Sequence, residues 1–224
     1  MHHRTQSVED YLKAIYAAGR VGEAVTTSVL ADRLDVTPAS VTGMVKKLAG
    51  LGLLEHAPYQ GVTLTEPGRR IAVETIRHHR LVETYLHQAL GVPWDRLHVE
   101  AEAWEHVLSE DLEARMDAAL GHPTVDPHGA PIPTPALELV EPDHPPLARL
   151  DAGQTAVVAQ VSDHDGALLR HVGDAGLYPE TRFAVEAVAE AGDARLRLLS
   201  GERRGEVVSL DAVATAHVFV TDIA

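Results

Sequence analysis

Eight of the 13 prolines in this 224-residue chain fall between Pro123 and Pro146. Proline locks φ and has no N–H, so neither a helix interior nor a central strand can run through "HPTVDPHGAPIPTPALELVEPDHPP". The segment reads as an extended connection between domains, and the hydrophobic pattern changes across it. Before it, apolar residues recur at helical spacing. After it, "QTAVVAQVS", "RFAVEAVAE", "ARLRLLS", "EVVSL" and "AHVFVTD" read as short strands, interrupted by one short helix, "GALLRHVGDAGL". Five short strands in so small a space suggest a small SH3-like β-barrel, so the expected fold is mainly α with a C-terminal β domain.

In the helical part, Ser7-Val8-Glu9-Asp10 has the form of a capping box, opening a helix that carries Leu12, Ile15 and Tyr16. Two short helices, two short strands and long helices near 67–90 and 95–120 follow, with Gly91 ending the first long helix. "VTTSVLADRLDVTPASVTGMVKKLAGLGLL" (25–54) has helix-turn-helix grammar. Thr27 or Ser28 caps one helix, Asp35-Val36 turns, and Thr37 caps a second with Pro38 at its first position. Val41, Val45 and Leu48 make the buried face of that second helix. Thr37, Ala39, Ser40, Thr42, Gly43, Lys46 and Lys47 make a face of small and cationic groups fit to enter a DNA groove. "LLEHAPYQGVTLTEPG" then reads as a hairpin, a wing with Gln60 at its tip over the phosphates.

Charge agrees with this placement. The chain carries a formal charge of -14, yet residues 1–70 hold eight Lys or Arg against seven Asp or Glu, and the rest holds 11 against 26. Only the N-terminal third can approach phosphate comfortably. Being nearly neutral, it would bind weakly alone, so two heads in a homodimer on double-stranded DNA are expected. There is no membrane-spanning run and no signal-peptide core, which points to the cytoplasm. Cysteine is absent, so any metal must be held by imidazole and carboxylate.

Such donors are concentrated in "LHVEAEAWEH" (97–106). On a continuous helix His98, Glu102, Glu105 and His106 fall within about 100° of one another. On the preceding helix His79 and Glu83 stand one turn apart. Two antiparallel helices would bring these faces together, giving either a metal site or a solvated acidic stripe.

"SVEDYLKAIY", "LADRLDVTPASVTGMVKKLAGLGLL", "LTEPGRRIA", "HHRLVETYL", "AEAWEHVLSEDLEARM" and "DPHGAPIP" resemble, in order over residues 5–134, the diphtheria-toxin-repressor family of metal-activated repressors. "LLRHVGDAGLYPE" resembles the FeoA-type SH3-like domain of its longer members. The resemblance implies a winged helix-turn-helix head (1–70), a helical metal-binding and dimerisation domain (71–134), a proline-rich linker (135–152) and a FeoA/SH3-like domain (153–224). It implies two metal sites per subunit: a primary one from Asp10, Glu102, Glu105 and His106, and an ancillary one from His79, Glu83 and His98, to which Asp163 and Asp165 of the barrel could add oxygens. The iron-responsive branch has methionine and cysteine where this chain has Asp10 and Glu102, so the chain resembles the manganese-responsive branch, with Mn(II) or Fe(II) as cofactor. The short manganese-responsive members carry glutamate at the position of Lys13, so two separated sites are expected here instead of a bridged pair. The implied function is that of a repressor controlling metal homeostasis, not an enzyme. Because its histidines must lose protons to bind, activation should weaken below about pH 6. The rival readings are a di-metal hydrolase and a metal-independent winged-helix regulator of a small organic ligand.

Overall fold

A computed structural model describes residues 5–20, 25–57 and 61–224, which divide into two units. The first comprises Met1–His79, Glu105–Leu108 and Pro133–Leu139; the second comprises Arg80–Trp104, Ser109–Ile132 and Val140–Ala224.

In the first unit, helix α1 (Gln6–Arg20) starts before the expected capping box. The Thr5 carbonyl accepts from the N–H groups of Val8 (2.8 Å) and Glu9 (3.4 Å), which places Ser7 inside the helix. α2 (Thr27–Arg33) is capped by Thr26, not by Thr27 or Ser28. Thr26 keeps an extended backbone, and its hydroxyl accepts from Val29 N–H at 3.3 Å. Asp35, at φ 49°, makes the turn. α3 (Pro38–Gly50) opens as its sequence demands, with Thr37 accepting from Ser40 N–H at 3.2 Å and Pro38 in the first turn. Its Val41, Val45 and Leu48 are buried with Leu12, Ile15, Leu30, Leu54 and Val62. Each such side chain contributes about 1.5–3 kcal/mol by leaving water. β1 (Leu54–Ala57) and β2 (Gly61–Leu64) pair antiparallel, Leu54 opposite Leu64. Gln60 lies outside the described residues. α4 (Glu66–Leu90) runs from the first unit into the second.

The second unit corrects the expectation of one long helix over 95–120. A 3-10 turn (Trp94–Arg96) leads into α5 (Leu97–Trp104), and α6 (Glu110–Ala119) is separate. The cause is local. Ser109 takes extended dihedrals and its Oγ accepts from Leu112 N–H at 3.3 Å, while Glu110, Asp111 and Glu113 place negative charge on the new N-terminus. This start signal overrides the helical periodicity. Glu105–Leu108 leave the helix and join the first unit.

The prolines exclude helix and strand from 123–132 as expected, but this stretch is a closed loop, not an extended connection. Val125 bridges Pro131, and Asp126 N–H bonds to Ala130 O at 2.9 Å. The loop docks on β3 (Thr155–Val161) through Val161 N–H to His128 O, 2.9 Å. Gly129 permits the approach: it sits at φ +89°, and a Cβ there would lie 2.1 Å from Ala159 O.

All five expected strands form. β3, β4 (Arg182–Val188), β5 (Ala194–Leu198), β6 (Val207–Leu210) and β7 (Val218–Thr221) make one antiparallel sheet in the order β6-β5-β4-β3-β7. α7 (Gly166–Asp174) is the expected helix. α8 (Ala212–His217), capped by Asp211, was not expected. No helix among the described residues is long and apolar enough to cross a membrane.

Candidate metal centres

Two clusters of imidazole and carboxylate emerge, one in each unit. In the first unit α1 brings Asp10 to the turn carrying Glu105 and His106. One donor atom from each of the three lies within 4.8 Å of the others. Donors sharing one ion at about 2.2 Å are no more than about 4.4 Å apart, so the cluster is of a size that can hold a cation. His106 Nε2 is 2.8 Å from Asp10 Oδ1 and 3.4 Å from Glu105 Oε1, yet it makes no well-formed hydrogen bond. His106 Nδ1 lies 2.7 Å from Glu9 Oε2. An ionised carboxylate only accepts, so Nδ1 carries a proton toward Glu9, and Nε2, once it gives up its own proton, aims a lone pair at Asp10 and Glu105, the arrangement that carboxylate partners impose on metal-binding histidines. Glu9 was not singled out from the sequence, where it was merely part of the capping box. Burial by itself lowers the His106 pKa, but the carboxylates of Asp10 and Glu9 against its two ring nitrogens and the charge of Glu105 outweigh it and raise the pKa to about 9.

Glu105 has no exposed side-chain surface. It accepts from Lys13 Nζ at both oxygens (3.0 and 2.9 Å) and contacts His79 Nδ1. His79 thus takes part in the first unit's cluster.

In the second unit Glu83 is common to two groups, one with His98 and Asp163 and one with Asp126 and His128. His98 Nδ1 stands 3.6 Å from Asp163 Oδ2 and 4.0 Å from Glu83 Oε1, so the Asp163 carboxylate ahead of α7 does come beside this histidine. Asp165 does not share the cluster. Its Oδ1 accepts from the N–H groups of Ala167 (2.8 Å) and Leu168 (3.3 Å) as the N-cap of α7, the ordinary role for aspartate at that position. Glu102, expected in the first centre, belongs to the second unit, where its Oε1 is 3.7 Å from His98 Nε2.

Asp126 and His128 were missed. Both are buried, at 4% and 0% exposure. Trp94 O accepts from His128 Nε2 at 3.0 Å, leaving Nδ1 to face Glu83 Oε1 at 3.6 Å. His128 Nδ1 and Asp126 Oδ2 are buried without hydrogen-bond partners. A buried lone pair facing carboxylates is costly unless a cation or proton sits among them. Asp126 Oδ1, meanwhile, holds the loop by accepting from His128 and Ala130 N–H at 2.8 and 3.0 Å. Burial raises the Asp126 pKa, reinforced by Glu83. Burial lowers that of His128, but Glu83 and Asp126 raise it overall to about 9. The only hint of these two in the sequence was "DPHG" within the proline-rich stretch.

On α3, Thr37, Ala39, Ser40, Thr42, Gly43, Lys46 and Lys47 are all exposed. A Cβ at Gly43 would meet nothing within 4 Å, so the face is low and open.

Comparison with known proteins agrees with both features. Residues 3–62 match the model of the iron-dependent repressor N-terminal DNA-binding domain, residues 65–134 that of the iron-dependent repressor metal-binding and dimerisation domain, and residues 146–221 the FeoA domain. The iron-dependent repressor IdeR of Mycobacterium tuberculosis is 36% identical over 205 residues, covering 86% of this chain and 89% of that protein. The diphtheria toxin repressor of Corynebacterium jeikeium is 32% identical over 133 residues, 59% of this chain and 55% of that one. A solved manganese-dependent transcriptional repressor in complex with manganese is 38% identical, covers 96% of this chain and 99% of its own, and superposes with a TM-score of 0.87. ScaR with bound zinc is 29% identical over 96% of this chain and 98% of its own, at a TM-score of 0.79. The chain therefore belongs to the iron-dependent repressor family of metal-dependent, DNA-binding transcriptional repressors.

Proposed function

We propose that the chain is a homodimeric repressor activated by Mn(II), with two metal centres in each subunit. The observation that carries this reading is the convergence of Asp10, on a helix packed into the DNA-binding head, with Glu105 and His106. The first centre would be held by these three. The second would be held by Glu83, His98, Asp163, Asp126 and His128. These are oxygen and imidazole donors throughout, a set suited to Mn(II), and there is no cysteine thiolate to favour softer ions. A bound divalent cation would supply the positive charge that the gathered carboxylates need.

The residues do the rest. With like charges facing each other, Asp10 and Glu105 resist close approach. Neutralised, they draw α1 against the 105–108 turn. α1 packs in one core with α2 and α3, so its position bears on where the recognition helix stands. The metal-bound arrangement is then the one that fits the operator, and metal binding shifts the population toward it. The exposed face of α3, with Gln60 on the wing, meets double-stranded DNA. The hydrolase reading finds no support in the family, and a metal-indifferent regulator gives no reason for Asp10, Glu105 and His106 to converge.

Fluorescence anisotropy tests the reading. Metal-stripped protein is titrated onto duplexes taken from upstream of metal-transport genes, at fixed salt. Tight binding should appear with Mn(II) and vanish on adding chelator; affinity indifferent to metal would overturn the proposal.

The second centre has its own test. Asp126→Asn keeps Oδ1 for the two loop hydrogen bonds and removes only the outward oxygen and its charge. By calorimetry the Mn(II) event of the second centre should lose at least about tenfold in affinity, equivalent to about 1.4 kcal/mol. A binding isotherm identical to wild type would remove Asp126 from the ligand set.

A further inference from the structure

Lys13 stands three residues after Asp10, on the same face of α1. Its ammonium donates to both oxygens of Glu105 and lies 3.3 Å from His79 Nδ1. Glu105 is wholly buried, whereas the Lys13 side chain keeps 19% of its surface exposed. The ammonium thus reaches inward from the protein edge and caps a carboxylate that water cannot reach. Its contacts, two carboxylate oxygens and an imidazole nitrogen, are those a metal ion would make.

We infer that Lys13 is a tethered cation that competes with the activating metal for Glu105 and so sets the metal concentration at which the repressor switches. The inference rests on the metal-activated reading above. An ammonium and a divalent ion cannot both sit against one buried carboxylate without strong repulsion. Because its side chain reaches the surface, Lys13 has somewhere to go: swinging outward restores its hydration while Glu105 keeps a positive partner. The exchange costs far less than leaving Glu105 bare, so the centre is never an unneutralised buried anion. It also makes metal affinity lower than the donor set alone would give. The device raises the threshold without removing a ligand.

Lys13→Met keeps the aliphatic stem and deletes the charge; Lys13→Gln keeps a polar end in case burying methionine beside Glu105 disturbs folding. Mn(II) binding to metal-stripped full-length protein is measured by calorimetry, and DNA binding by anisotropy against free Mn(II). Both variants should bind Mn(II) at the first centre more tightly, and half-activation should shift to lower Mn(II), by at least about tenfold, the low end for one close charge contact. A merely structural role for Lys13 cannot produce this result, since a damaged fold weakens metal binding. Affinity unchanged or reduced in both variants, with wild type responding normally to Mn(II), overturns the inference alone. Wild type that neither binds Mn(II) nor changes its DNA affinity overturns the underlying reading with it.

Discussion

Glu105→Gln is expected to abolish metal-dependent DNA binding. The substitution preserves shape but removes a carboxylate in contact with Lys13, His79 and His106 together. A neutral amide leaves Asp10 and His106 with too little charge and too few donors to hold Mn(II) at the first centre. Loss of an anionic ligand should weaken that centre at least about a hundredfold, roughly 2.7 kcal/mol. Anisotropy with saturating Mn(II) should then match the value in chelator within about twofold, an interval below 0.5 kcal/mol. The fold should survive, because Lys13 can extend to water, and the circular dichroism spectrum should be that of wild type. A variant that still switches with Mn(II) would remove Glu105 from the centre and leave its burial against Lys13 as a structural ion pair.

The second large effect is on pH. In the metal-free protein His106 titrates at about 9. At neutral pH it therefore carries a proton on both nitrogens, and the Nε2 proton occupies the place of the metal. Binding must expel that proton, so apparent Mn(II) affinity should rise about tenfold per pH unit below the pKa, or about a hundredfold between pH 6.5 and 8.5. This moves the expected loss of activation upward from the pH 6 that an ordinary histidine predicts. The metal-free protein has the opposite slope. The folded-state pKa lies above the ordinary value, so the stability from the charged imidazole is full below about pH 6.5 and fades as pH rises through about 9. His128, also raised to about 9, adds a second proton at the other centre. Calorimetry in buffers of different ionisation enthalpy should count about one proton released per Mn(II) near pH 7.5. An affinity flat across this range, with no proton released, would mean that His106 is already neutral.

Much of this molecule could be read locally. The Thr37-Pro38 start of α3, its buried Val41, Val45 and Leu48, Gly91 after α4 and the alternation of the five C-terminal strands all follow from rules that act within a few residues. The same rules misread one boundary. Periodicity carried a helix through 95–120, although "SEDLE" holds a start signal that the structure uses at Ser109. That break matters most for the site, because α5 ends at Trp104 and leaves Glu105 and His106 in the turn that follows.

What the sequence determined on its own was the donor chemistry and the elements that bear it: carboxylate and imidazole without thiolate, a capped recognition helix, and a proline-rich stretch that cannot be regular structure. Which donors meet was decided by tertiary structure alone. Glu9 and Asp10 reach His106 across more than 90 positions, and Asp126 and His128 become ligand candidates only because Gly129 lets their loop close on β3 and Trp94 O fixes the His128 tautomer. Local rules act over a helical turn or a strand pair. A metal centre requires atoms from distant segments to converge within a few ångströms, and only the packing of those segments sets that distance.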